Sequence, residues 1–157
     1  MKCKGVTLIE LVVAVAVLAI LASAVFPVVK MTVKRQKEYE LRQNLRIIRK
    51  AIDDYKKAYD EKKIQQKLGA SGYPSSLREL VEGVDDLTSP VYGTKIVFLR
   101  RIPRDPFNDN KDLKPEETWG IRSYGSPPED PKEGDDVYDV YSLSEEKAID
   151  GTYYKDW

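Results

Sequence analysis

One stretch limits what this chain can become more than any other. Residues 6–26 read VTLIELVVAVAVLAILASAVF, and Glu10 is the only charge among them. At 1.5 Å per residue such a run makes a helix of roughly 30 Å, the thickness of the hydrocarbon core of a bilayer. Lys2, Lys4 and Gly5 stand ahead of it and Pro27 closes it. The rest of the chain is polar, with charged residues at 33% of the 157 positions.

A secretory signal peptide and an uncut membrane anchor are the two ordinary readings of such a segment. Ala22-Ser23-Ala24 passes for a small-x-small cleavage site. A signal h-region, however, runs to about 7–15 apolar residues and tolerates charge poorly. A carboxylate at the bilayer centre costs about 2.5–3.5 kcal/mol on insertion scales and somewhat less towards the interface. Glu10 is therefore a functional residue by default, and its natural partner is a cation. A free amino group would be at hand if the chain were cut after Gly5.

The residues Lys4-Gly5-Val6-Thr7-Leu8-Ile9-Glu10-Leu11 resemble the processing motif of type IV pilins and type II secretion pseudopilins. In that family a membrane aspartyl peptidase cuts after the glycine and methylates the new amine. The resemblance implies cleavage after Gly5, N-methylation of Val6, and a role for Glu10 in subunit assembly. Val6 stands where the family usually has phenylalanine, a mild departure at a position that needs an apolar residue.

Several function classes fall away on composition. Lys and Arg number 26 and so do Asp and Glu, so nothing in the overall charge suits a nucleic-acid surface. There is no histidine, the commonest general base and metal ligand. Cys3 is the single cysteine, so no internal disulfide can form. It precedes the apolar run, where a lipidated cysteine would follow it, and reads as an incidental thiol.

Beyond Pro27 the pattern becomes amphipathic. Leu41, Leu45, Ile48, Ile52, Tyr55 and Tyr59 recur at steps of 4, 3, 4, 3 and 4, which lays one apolar stripe along a helix. The stripe predicts the face on which a small domain packs. Proline lacks an N–H and crowds the preceding turn, so a kink or local melting is expected at Pro27. The pattern runs to about Gln66, with Gly69 and Ser71-Gly72 as its stop signals.

The remainder reads as a loop-rich head. Ser76 and Glu79 have capping-box spacing, which predicts a short helix to Glu82 stopped by Gly83. Lys95 to Leu99 reads as a packed connecting segment. Trp119 to Tyr124 and Val137 to Ser142 read as strands, and the proline-rich stretch Ser126 to Gly134 as the loop between them. Gly72-Tyr73-Pro74, Pro103-Arg104-Asp105-Pro106-Phe107, Trp119-Gly120-Ile121-Arg122-Ser123-Tyr124 and Tyr138-Asp139-Val140-Tyr141-Ser142 are similar, in that order, to the major pseudopilin of type II secretion. The resemblance implies an α+β pilin fold: a long N-terminal helix, half transmembrane and half amphipathic, packed on a small antiparallel sheet domain with long loops. Its parts are a leader at 1–5, a membrane or filament-core helix at 6–27, the amphipathic half at 28–68 and the head at 69–157. Where the family often has glycine after the Asp-Pro-aromatic triplet, this chain has Asn108 and a polar insertion reaching Glu117.

Oxygen-bearing side chains gather after the last strand, and calcium takes six to eight oxygens from such loops. The resemblance implies one calcium here, with Ser142, Ser144, Asp150 and Asp156 as candidate ligands. A solvated acidic turn pinned by Trp157 is the plainer alternative. Charge is also divided along the chain: residues 30–67 hold thirteen Lys/Arg and six Asp/Glu, and residues 116–157 hold twelve acids and four bases. The two ends can attract one another between staggered subunits, or both can simply be solvated surface.

The resemblance implies a non-enzymatic subunit of a helical homo-oligomer. It would be processed by prepilin peptidase and anchored once in a bacterial inner membrane with its head in the periplasm. It would then join a periplasmic pseudopilus with minor pseudopilins and an inner-membrane assembly platform. A surface type IV pilin, a minor pseudopilin and a membrane-tethered enzyme are the alternatives. Lys30, Lys34, Arg35 and Lys37 beyond the helix weaken the orientation signal of Lys2 and Lys4.

Overall fold

Residue 5, residues 7–67 and residues 69–157 are described by the computed structural model, without the side chains of 24–27. The chain divides into two compact units, Met1–Gln36 and Lys37–Trp157. A single helix, α1 (Leu8–Asp60), contributes to both. Its assignment continues through Pro27 without a break, so the local melting expected there does not occur.

Within the second unit the stripe on α1 is the spine of the core. Leu41, Leu45, Ile48 and Ile52 are at most 2% exposed, and Tyr55 is buried beside them. Ala51 and Ala58 widen the stripe, and Asn44 donates from Nδ2 to the Arg104 carbonyl at 3.0 Å. Against this face pack Ile64, Leu77, Leu80, Leu99, Trp119, Val140 and Tyr154, which together form one apolar cluster.

α1 stops at Asp60, short of the expected Gln66. Lys62 takes φ 57, the left-handed region. Its N–H bonds the Tyr59 carbonyl at 3.0 Å, and the Lys63 N–H bonds the Ala58 carbonyl at 2.9 Å. These two bonds are those of a Schellman end, here with lysine in place of the usual glycine.

The short helix α2 (Leu77–Glu82) follows with Ser76 at its N-cap and Gly83 at φ 72 beyond its end. The expected capping box is not made, because the Ser76 side chain bonds nothing in the cap. Glu79 instead accepts from the Ser75 N–H at 2.8 Å and the Ser75 hydroxyl at 2.9 Å, and takes the Tyr55 hydroxyl at 3.2 Å on its other oxygen. Ser76 keeps the N-cap position, and the Glu79 carboxylate reaches the residue before it.

Two small antiparallel ladders complete the head. β1 (Val84–Asp85) pairs with β2 (Lys95–Ile96). After β2 the N–H groups of Phe98 and Leu99 both reach the Leu80 carbonyl, so the chain is drawn onto α2 as a packed connection. A 3-10 turn, Pro115–Thr118, leads into β3 (Trp119–Arg122), which pairs with β4 (Asp139–Ser142) in the register Trp119 to Ser142 and Arg122 to Asp139. Both strands are shorter than the sequence pattern suggests. Gly120 faces Tyr141 across this ladder, and a Cβ there would overlap the Tyr141 ring. A second 3-10 turn, Tyr154–Asp156, ends the described chain just before Trp157.

Candidate functional site

The N-terminal unit concentrates its chemistry in the first turn of α1. Thr7 caps it: its Oγ1 accepts the Glu10 N–H at 3.3 Å, and its carbonyl accepts the Leu11 N–H at 3.1 Å. Thr-x-x-Glu is a start signal that sequence reading passed over, because the apolar run drew attention away from its first polar residue. Glu10 lies in the first turn, where the helix dipole favours a carboxylate. Gly5 stands just ahead, exposed and with open space around it. Val6, the residue expected to carry the methyl group, lies outside the described residues, as does Cys3.

From Leu8 to Leu21 the large apolar side chains of α1 stand exposed. Leu8 is 82% exposed, Ile9 and Ile20 are each 70%, and Leu18 is 64%. The helix is long and apolar enough to cross a membrane, and none of the tested window is buried. Burying such a surface is worth about 25 cal/mol per Å² of apolar area, so lipid or other helices are its favourable surroundings.

The second group of candidate residues lies at the far end of the second unit. Ser142 is fully buried and donates from Oγ to Asp105 Oδ2 at 2.5 Å. Asp105 is itself 2% exposed, and its Oδ1 accepts the Phe107 N–H at 2.8 Å. Burial pushes the Asp105 carboxyl above its ordinary range, while the bonds from Ser142 and Phe107 pull it back. Ser142 thus faces inward, into the Pro103–Phe107 segment.

Ser144 accepts the Glu146 N–H at 3.3 Å on Oγ. Asp150 accepts the Thr152 N–H and hydroxyl on Oδ1, at 3.0 and 2.6 Å, and meets Arg42 at 3.3 Å on Oδ2. The Thr152 hydrogen bonds, with Arg42 second, hold its carboxyl below the usual range. Asp156 stands exposed in the last 3-10 turn. Among the described residues no group of three or more acidic, histidine or cysteine side chains is placed to hold a metal. Of the four named residues, Ser142 is engaged with Asp105 in the core and Asp150 with Thr152 and Arg42.

Sequence reading also missed the basic residues that organise this end. Arg49 donates to Asp139 at 2.7 Å, to the Val140 carbonyl at 3.1 Å and to the Trp157 carbonyl at 2.7 Å. Arg122 meets the other Asp139 oxygen at 3.4 Å. For Arg49 the signal was its place on the rim of the α1 stripe; Arg122, in β3, had none of that kind.

Residues 1–26 match the family model described as Prokaryotic N-terminal methylation motif. No curated protein and no solved structure matches the chain. The matched residues include the glycine, the capped first turn with Glu10, and the exposed apolar helix. The chain carries a prokaryotic N-terminal methylation motif at its start, on an α+β body of one long helix and two small antiparallel ladders, an arrangement consistent with a pilin fold.

Proposed function

We propose that the protein is a structural subunit of a type II secretion pseudopilus. The observation that carries this reading is a methylation motif joined directly to a helical segment, residues 8–21, whose large apolar side chains are exposed. The order of the four aromatic and proline motifs in the head supports the secretion assignment over a surface fibre.

Prepilin peptidase cuts after Gly5 and methylates the Val6 amine. The apolar half of α1 then stays in the inner membrane with the head in the periplasm, until subunits leave the bilayer and bundle these helices into a filament core. Glu10 of one subunit pairs with the Val6 amine of its neighbour, which offsets the desolvation of both charges and sets the axial step. No catalytic step is assigned to the chain; minor pseudopilins and an assembly platform act with it.

Intact-mass measurement of membrane-extracted protein tests the first step. The expected mass is that of residues 6–157 plus one methyl group, and a start beyond Ala24 would sink the reading. Glu10→Ala should still be inserted and cut but give few or no filaments in a strain without the wild-type chain. Deleting the chain should stop export of folded proteins. Lost surface fibres with normal export would assign it to a pilus instead.

A further inference from the structure

We propose that this chain closes its C-terminal loop with an internal cation, the guanidinium of Arg42, and that its head folds without a divalent metal. The loop 145–157 is held by Glu38 and Arg42, one turn apart on α1, while Arg49 further along the helix takes only its last carbonyl, that of Trp157, at 2.7 Å. Glu38 Oε1 accepts the Ile149 N–H at 2.8 Å and the Tyr154 hydroxyl at 2.9 Å. Four residues on, Arg42 meets Asp150 at 3.3 Å and lies over the Trp157 ring, 4.1 Å from its centroid. The loop braces itself between these grips: the Trp157 indole N–H donates to Thr152 Oγ1 at 2.8 Å, and Thr152 caps Asp150.

Charge explains why one cation suffices. Calcium needs six to eight oxygens, several of them carboxylate. Here a single carboxylate, Asp150, turns towards the α1 face, and a guanidinium already sits on it. Ser142, which a metal would have to recruit, is fully buried, and its oxygen already accepts the Ser144 N–H at 3.1 Å while its proton goes to Asp105. An exposed ion pair alone contributes little. Arg42 differs because the same planar group also stacks on an aromatic ring, which lysine does less well. Glu38 supplies the opposite charge one turn away, so the loop meets a fixed dipole on the helix. None of this depends on filament assembly.

The test uses the full-length chain in detergent micelles stripped of metal. Melting is compared in chelator, in calcium and in magnesium, and calcium binding is measured by equilibrium dialysis. A structural site held a hundredfold above its Kd would raise Tm by roughly 10 °C. The expectation is one Tm, within about 1 °C, in all three buffers and no stoichiometric calcium bound. Arg42→Ala should lower Tm by about 3–8 °C equally in every buffer, and Arg42→Lys by less. Proteolytic nicking within residues 145–157 should be several-fold faster in Arg42→Ala, with no protection by calcium. Should Arg42→Ala fail to fold, Arg42→Lys and the wild-type calcium series decide the matter. Stabilisation of the wild type by calcium but not magnesium would overturn the proposal. So would one bound equivalent of calcium, or nicking of Arg42→Ala at the wild-type rate.

Discussion

Replacing Asp105 by alanine should strand two polar groups inside the head. The Ser142 hydroxyl loses its acceptor at 2.5 Å and the Phe107 N–H loses its acceptor at 2.8 Å. Each buried group left without a partner costs about 1–3 kcal/mol, so the pair costs about 2–6 kcal/mol. Alanine also removes the desolvation carried by the carboxylate itself, the cause of its upward pKa shift, which moves the net loss to about 2–4 kcal/mol. For a unit of this size that lowers Tm by roughly 6–15 °C.

Thermal circular dichroism of the full chain in detergent reads this directly, and Ser142→Ala completes a double-mutant cycle. Removing donor and acceptor together should cost less than the sum, with a coupling of about 1.5–3 kcal/mol. A pH series adds an independent sign. Because its folded pKa is raised, Asp105 binds its proton more tightly in the native state than in the unfolded chain. Its contribution therefore favours folding below the ordinary carboxyl pKa and is lost as pH rises through the folded value. Asp105→Asn should lack that dependence. A Tm unchanged by Asp105→Ala, or a coupling near zero, would refute the view that this carboxylate organises the head.

Further substitutions test the packing. Ile48→Ala removes a fully buried side chain from the α1 stripe and should cost about 2–5 kcal/mol, while Ile47→Ala, 44% exposed, should melt close to wild type. Lys62→Gly relieves a left-handed lysine at the end of α1 and should raise stability by about 0.5–1 kcal/mol, measurable by urea denaturation. Gly120→Ala places a methyl group into the Tyr141 ring and should lower stability by about 1–3 kcal/mol, with part of the loss recovered when Tyr141→Ala is added.

What could be read from the sequence depended on how local its cause was. The prepilin motif, the apolar helix and the stripe Leu41 to Tyr59 are contiguous or strictly periodic, and each needs only its own neighbours to be recognised. The end of α1 was not legible because lysine, not glycine, occupies the left-handed position. The start of α2 at Ser76 was legible, but not the bonds of Glu79, which takes Ser75 and also Tyr55, 24 positions earlier. The pairings of the C-terminal loop were not legible for the same reason on a larger scale, because only the fold brings Asp105 to Ser142 and Arg42 to Asp150. Within the processing site, Gly5 and Glu10 stood out while Thr7, which caps the helix between them, did not.

The long reach of the α1 contacts also has a consequence in time. Arg42, Arg49 and Glu38 find their partners 108 to 116 positions further along the chain. A ribosome adds about 5–20 residues per second, so roughly 5–20 s separate the emergence of the helix from that of its lid. Pairings so distant in sequence are also slow to form once the chain is complete. Through most of that interval Leu41, Leu45, Ile48 and Ile52 lack Val140 and Tyr154 from their cover and have only Ile64, Leu77, Leu80, Leu99 and Trp119 as these emerge, while Arg42, Arg46, Arg49 and Lys50 on the same turns help keep the nascent stem in solution. The arginines that later fasten the head thus first act as its gatekeepers against aggregation.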